Sequence, residues 1–232
     1  MIMHNILLFF ISIFFNFSNE IENTSWIRSD NGIYELRIYS DKYFSSTKYN
    51  LESKEFISTM GGLYSLEDVY YEVFEFNSKD SSKVGDTIFY SNIKIKMKND
   101  SGSMKIDGKE FSKNTDENNL SGSWLMSGIE RRGEMRMRDV NRPRKTMKIL
   151  AGNRFQWIAY DISKKGFYGT GGGTYTAVDG TYVENIDFFS RDSNTVGKSL
   201  EFDFEIKDGD WHHKGFSSKG DPKYEIWTQR KQ

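Results

Sequence analysis

The chain has 232 residues, of which 16% are Phe, Tyr or Trp, and such an aromatic load is typical of β-structure. With only 2 Pro and 28% charged residues, the composition excludes a disordered or collagen-like chain. The 32 Lys and Arg nearly balance the 33 Asp and Glu, so the net charge of -1 provides no general attraction to nucleic acid or to an anionic membrane. Because there is no Cys, disulfides, thiolate metal sites and thiol nucleophiles are excluded.

The N-terminal segment 1–19 predicts export. It contains an almost unbroken apolar run from Ile6 to Phe15. This run is shorter than the roughly 20 apolar residues of a transmembrane helix, and it has the length of the apolar part of a signal peptide. The segment has no Lys or Arg and no typical cleavage site, so an uncleaved anchor is the alternative and the only membrane contact expected. We therefore expect a periplasmic or extracellular protein.

Two parts of the chain resemble each other, which predicts a tandem duplication. Phe44–Asp68 aligns without gaps on Phe155–Asp179, at an offset of 111, and Tyr70–Gly85 aligns on Tyr182–Gly197, at an offset of 112. The predicted segments are a signal peptide or uncleaved anchor at 1–19, an abbreviated repeat at 20–111, a polar linker at 112–119 and a complete repeat at 120–232.

Two features distinguish the second repeat from the first. It carries a charge-rich insertion at Glu130–Lys145, and it ends with a strand at Tyr224–Arg230 that the first repeat is expected to lack. As a loop over a barrel mouth, the insertion could control entry or attract an anionic group. A charge-rich run is more often a solvated loop, so both interpretations of the insertion stay open.

Short strands with period-two alternation recur through both repeats. For example, Leu200, Phe202 and Phe204 alternate with charged residues, as in an antiparallel strand with one packed and one solvated face. Turn sequences such as Asp179-Gly180 separate these runs. No run after the N-terminal segment keeps a helical period. We predict an all-β fold in which each complete repeat is a small antiparallel barrel of about eight strands.

The second repeat begins with Gly122-Ser123-Trp124 and has Arg230 in its last strand. This motif resembles the G-x-W of the first strand in lipocalin-like (calycin) barrels, and Arg230 stands where those proteins place a cation over that indole. The resemblance, to lipocalin-like domains of secreted Bacteroidota proteins, covers nearly all of the second repeat and, more faintly, the first. It implies fold and export, and a cation–π contact between Arg230 and Trp124 that closes one barrel end. The first repeat has Thr24 in place of the Gly, so its end is closed differently or left open.

An acidic residue recurs on an otherwise apolar strand face. Glu184 shares that face with Tyr182, Ile186 and Phe188, and Glu72 is its counterpart in the first repeat. Burying an unpaired carboxylate costs several kcal/mol, so Glu184 must be paired, have a raised pKa or meet a polar group of a ligand. A Glu bonded to a Tyr or Arg, ligand recognition and acid/base chemistry all remain open.

The remaining motifs argue against metal, triad or phosphate-loop chemistry. His212 and His213 are adjacent, so on a strand they point to opposite faces and cannot hold one metal ion. His213 could pair with Glu184, although a packing histidine is the simpler interpretation. The run Gly169–Gly173 lacks the spacing of a phosphate loop, and it aligns with Gly61-Gly62. We expect its glycines, Gly172 and Gly173, to have a structural role in a bulge or bend.

We expect the second barrel to bind a small, largely apolar or lipid-like molecule without catalysis. A structural or interaction module whose barrel is filled by its own side chains is the first alternative, and an acid/base enzyme using Glu184 with His213 or a tyrosine is the second. No catalytic residue, cofactor, metal or nucleic-acid partner is predicted. The candidate ligand contacts are Glu184 as polar anchor with Tyr182, Tyr175, Trp157, Phe202, Phe204, Trp211 and His213, and the structural residues are Trp124, Arg230, Gly172 and Gly173.

Overall fold

The computed structural model describes residues 21–67, 69–98, 101–114 and 120–231. These residues form eighteen β-strands in two sheets with short 3₁₀ turns and no α-helix, which confirms the all-β fold class. The predicted signal segment 1–19 lies outside the described residues. Within the described ranges, no helix is long and apolar enough to cross a membrane.

The first sheet has nine antiparallel strands in the order β6-β5-β4-β3-β2-β1-β9-β8-β7. Its end strands β6 and β7 are separated in the chain only by Ser91 and Asn92, so the sheet curls until its two ends lie close together. Their bounds are β1 (Thr24–Asp30), β2 (Ile33–Ser40), β3 (Tyr43–Asn50), β4 (Glu55–Leu66), β5 (Tyr70–Asn77), β6 (Thr87–Tyr90), β7 (Ile93–Lys98), β8 (Ser101–Ile106) and β9 (Lys109–Lys113).

The second sheet closes into a barrel. Strands β10 and β12 to β18 form a ring of eight because β10 pairs with both β12 and β18, and β11 is a short addition hydrogen-bonded to β10. The strands are β10 (Gly122–Arg131), β11 (Glu134–Met137), β12 (Arg144–Ala151), β13 (Arg154–Asp161), β14 (Gly166–Val178), β15 (Thr181–Phe189), β16 (Ser199–Lys207), β17 (Asp210–Phe216) and β18 (Pro222–Gln229).

The first repeat does not lack a last strand, so that expectation was wrong. β9 pairs with β1 just as β18 pairs with β10. The predicted linker 112–119 consequently begins inside a strand, since Ser112 pairs with Ile27 and Lys113 pairs with Trp26. The alternation pattern missed β9 because Phe111 is the only large apolar residue in this strand.

The paired glycines of both sheets lie at register shifts. Between β4 and β5 the register shifts at Gly61/Gly62, and between β14 and β15 it shifts at Gly172/Gly173. A Cβ on Gly173 would approach the carbonyl oxygen of Asn185 to 2.0 Å, so only glycine fits. The bulge reverses the side chains that follow it. Phe188 therefore faces outward, and the expectation that it shares the inner face of Glu184 was wrong.

The outer faces of the two sheets pack against each other. The contacts are reciprocal: Tyr49 lies 4.9 Å from Phe188, and the aligned Tyr160 lies 5.0 Å from Phe76, measured between ring centroids. Reciprocal contacts between aligned residues are the geometry of a two-fold interface. The shared core contains Leu36, Ile38, Tyr43, Tyr49 and Phe76 from the first sheet and Leu125, Met147, Ile149, Ala151, Ile158, Tyr160 and Phe188 from the second.

Candidate functional site

A cavity of about 390 Å³ opens at the end of the second barrel where β10 ends and β12 begins. Its floor is charged, with Lys148, Glu184 and Glu225 beside Trp227. Its rim is cationic and contains Arg131, Arg138, Arg144, Arg191 and Lys223. Its apolar wall is formed by Met126, Ile129, Trp157, Ile186, Phe189, Leu200 and Phe202.

The floor is organised by a buried ion pair. Lys148 on β12 places Nζ 2.7 Å from Oε1 of Glu184 on β15, and both side chains are almost inaccessible to solvent. Burial lowers the pKa of Lys148, and the charge of Glu184 opposes that shift only in part. Glu184 is thus paired, as one of the sequence interpretations required, although its partner is a lysine instead of a Tyr or Arg.

His213 lies behind this ion pair. Its Nδ1 is 3.3 Å from Lys148 Nζ and 3.7 Å from Glu225 Oε2. Burial lowers the pKa of His213 well below its ordinary range, and the charges of Lys148 and Lys223 lower it further, so the ring is neutral at physiological pH. A neutral ring that accepts a hydrogen bond at Nδ1 carries its proton on Nε2. That buried Nε2 has no partner among the described residues.

Three indoles surround the same lysine. Trp211 lies 5.9 Å from Trp124 and 6.1 Å from Trp227, centroid to centroid. Lys148 Nζ is 4.5 Å from the ring centroid of Trp211 and 5.1 Å from that of Trp227, so it makes cation–π contacts inside the barrel. None of these indole N–H groups donates a hydrogen bond to another described residue.

Arg230 does not lie over Trp124, contrary to the expectation from the lipocalin resemblance. Its guanidinium stacks on the ring of Tyr43 at 3.8 Å, and Nη2 lies 2.7 Å from Oε1 of Glu75. Both residues belong to the first sheet, and their aromatic face and buried carboxylate hold Arg230 in the interface between the sheets. The cation beside the indoles is Lys148 instead.

The predicted ligand contacts fall into three groups. Glu184, Trp157 and Phe202 line the cavity. Phe204 is half-buried and packs at the edge of the barrel core, outside the cavity lining. The remaining four are fully buried behind the floor, and they are Tyr175, Tyr182, Trp211 and His213.

The first sheet contains a corresponding buried ion pair with different neighbours. Arg37 and Glu72 align with Lys148 and Glu184 and form a buried salt bridge. Glu72 also accepts hydrogen bonds from Tyr70 at 2.5 Å and from Tyr90 at 2.9 Å. Burial alone would lower the pKa of Arg37, but the Glu72 charge raises it above its ordinary value. The surroundings of Arg37 therefore stabilise its charged form.

Sequence reasoning missed Lys148, Arg191 and Lys223, whereas the other three rim cations belong to the charge-rich insertion that could attract an anionic group at the barrel mouth. A lysine within a strand suggests a solvated face, and Lys148 differs from such residues only in its alignment with Arg37, opposite the recurring glutamate. Arg191 and Lys223 are far from this insertion in the chain and meet it only through barrel closure. Among the described residues, no group of three His, Asp or Glu side chains is placed to hold a metal ion. The arrangement is suited to binding polar and apolar groups together.

Comparison with known proteins finds a similarity for the second sheet. Among curated proteins, none matches the chain. A family model described as "Domain of unknown function (DUF4488)" matches residues 119–232. The part of the chain that forms the closed barrel, and with it the cavity and its charged floor, is thus similar to the DUF4488 family.

Proposed function

We propose that this chain is an exported, non-catalytic binding protein that holds a small, largely apolar molecule in the cavity of the second barrel. We further propose that the two sheets are a tandem duplication of a lipocalin-like unit. The matching register shifts at Gly61/Gly62 and Gly172/Gly173 and the aligned ion pairs support the duplication. The apolar run in residues 1–19 is the basis for export.

The observation that carries the binding proposal is an incomplete barrel interior. The cavity of about 390 Å³ is within the range of about 300–1,000 Å³ that is usual for small-molecule pockets. It combines an apolar wall with a few polar groups, and the Glu225 carboxylate and Trp227 indole on its floor include buried atoms without a hydrogen-bond partner. Such atoms cost about 1–3 kcal/mol each unless water or a ligand meets them.

The filled-barrel module remains the second candidate function, and the first sheet favours it. The interior of the first sheet is packed with aromatic side chains around Arg37 and Glu72. Its outer face packs against the second barrel through the reciprocal contacts of Tyr49 and Tyr160. On this view the first sheet has a structural role. The binding function then belongs to the second barrel alone.

The test is uptake of a neutral apolar fluorophore, N-phenylnaphthylamine, by the full chain. We expect saturable binding and a co-purifying mass in native mass spectrometry that denaturation releases. Leu200→Trp, which fills the cavity wall, should abolish uptake, whereas Ile206→Trp on the same strand should leave it unchanged because Ile206 is 48% exposed and outside the cavity. Absence of uptake by the parent protein would favour the filled-barrel module.

A further inference from the structure

The rim of the cavity carries more positive charge than its surroundings neutralise. Six cationic side chains and two carboxylates line the cavity. Lys148 pairs with Glu184, and Lys223 pairs with Glu225. The remaining four cations, which are Arg131, Arg138, Arg144 and Arg191, form no salt bridge with any described residue.

Electrostatics within the rim are unfavourable without a ligand. Partial burial lowers the pKa of Arg138 and the charge of Arg131 lowers it further, while the charge of Glu225 opposes this shift only in part and that of Arg144 adds to it. Arg144 lies 3.4 Å above the ring of Tyr168, and Arg191 donates hydrogen bonds to the Tyr168 carbonyl oxygen, so both guanidinium groups are held in place. Arg131, Arg138 and Arg144 are exposed, and a group of like charges at the mouth of a cavity attracts an anion.

In the first sheet, a buried carboxylate lies at the position that corresponds to this rim. Glu35 on β2 is buried at the corresponding place, and Arg28, Lys48 and Lys109 converge on its Oε2 at 3.3, 3.8 and 3.8 Å. Glu35 aligns with Thr146, which lines the cavity of the second barrel. In the second barrel a short neutral side chain takes the place of this carboxylate and Ala159 takes the place of Lys48, so the cations of the rim come from other positions.

We propose that the ligand of the second barrel is an amphiphilic anion. Its carboxylate, sulfonate or phosphate group lies at Arg131, Arg138 and Arg144, where Glu35 would lie in the first sheet, and its apolar body occupies the wall formed by Leu200 and Phe202. This inference rests on the proposed binding function and specifies its ligand class.

The test compares two fluorophores of similar shape, the anionic anilinonaphthalene sulfonate and the neutral N-phenylnaphthylamine, on the full chain. We expect the anion to bind about tenfold more tightly, which corresponds to about 1.4 kcal/mol, because it adds charge-assisted contacts, and we expect the preference to weaken as salt is added. Arg138→Gln combined with Arg144→Gln should remove the preference and retain neutral binding. Arg132→Gln, an exposed turn residue outside the cavity, is the matched control.

Thr146→Glu provides a second, independent variant because it restores the carboxylate of the first sheet. It should exclude the anionic probe and leave the neutral probe bound, with far-ultraviolet circular dichroism verifying the fold. Equal binding of both probes, unaffected by the arginine substitutions, would overturn the anion assignment and leave the proposed binding function intact. Failure of both probes to bind would overturn the proposed function itself.

Discussion

The interiors of the two sheets differ in how completely the chain satisfies its own polar groups. In the first sheet, Trp26 donates its indole N–H to Thr24 Oγ1 at 2.7 Å. In the second, Gly122 stands in place of that threonine, and Trp124 Nε1 has no partner among the described residues. The same contrast holds at the rim, where the first sheet supplies Glu35 and the second supplies a neutral threonine.

This difference supports the proposal that the first sheet has a structural role. Buried polar groups are normally hydrogen-bonded, and exceptions call for an explanation such as water, an ion or a ligand. The unpartnered buried atoms near the inner floor belong to Trp124, Trp211, His213, Glu225 and Trp227, all in the second barrel. A cavity adjoins that group, whereas the first interior is complete without a ligand. We therefore infer that binding and packing have been divided between the two sheets.

The largest expected effect is on the free energy of unfolding when the carboxylate of each buried ion pair is removed. Glu72→Gln leaves the buried Arg37 charged, because a guanidinium does not release its proton, and breaking a buried ion pair in this way costs about 3–5 kcal/mol. Glu184→Gln should cost less, about 1–3 kcal/mol, because Lys148 has a lowered pKa and can become neutral. Chemical denaturation followed by circular dichroism measures both costs.

The reverse order of the two costs would contradict the view that the first sheet is the more completely neutralised one. Glu110→Gln is the matched control, since this residue is exposed on β9 and forms no salt bridge with a described residue. It should leave the free energy of unfolding within about 0.5 kcal/mol of the parent value.

An intermediate effect is expected at the interface, where two aligned tyrosines differ. Tyr160 Oη donates a hydrogen bond to Glu75 at 2.7 Å, whereas the buried Tyr49 Oη has no partner among the described residues. Tyr160→Phe should destabilise the protein by about 1.5–3 kcal/mol because it removes a hydrogen bond to a charged group. Tyr49→Phe should be neutral or stabilising. Equal costs in thermal unfolding would show that the reciprocal packing does not distinguish the two hydroxyl groups.

Strand patterning predicted much of the fold because alternation and turn residues are local signals. It indicated the all-β class, the glycines at the register shifts and an interior location for Glu184. It failed at Phe188, because the extra residue of the bulge, Asp187, lies on β15 opposite the glycine pair and reverses every side chain after it. It also failed at β9, where one aromatic residue carries the whole apolar signal.

The site was less predictable than the fold because it depends on closure of the barrel. Lys148 meets Glu184 although 36 residues separate them, and Arg230 reaches Glu75 across 155 residues. Nothing local to either residue specifies its partner. Only the alignment of Arg37 and Glu72 with Lys148 and Glu184 contained this information, and it became interpretable once the register showed that both pairs face inward.

The smallest expected effect is the pH dependence that His213 confers on the second barrel. Its pKa lies well below 6.5 in the folded protein and near 6.5 in the unfolded chain, so acid protonates the unfolded chain first. Stability contributed by the neutral ring is present above pH 6.5 and declines as the pH falls toward the folded pKa, by at most about 1.4 kcal/mol per pH unit. His213→Gln should flatten this part of the stability profile. His212→Gln should preserve it, because His212 lies outside the buried core, hydrogen-bonded to Tyr224. If the free energy of unfolding of His213→Gln keeps the same dependence on pH, other groups cause the acid sensitivity. The His213 ring beside the charged floor would then not be the neutral group described above.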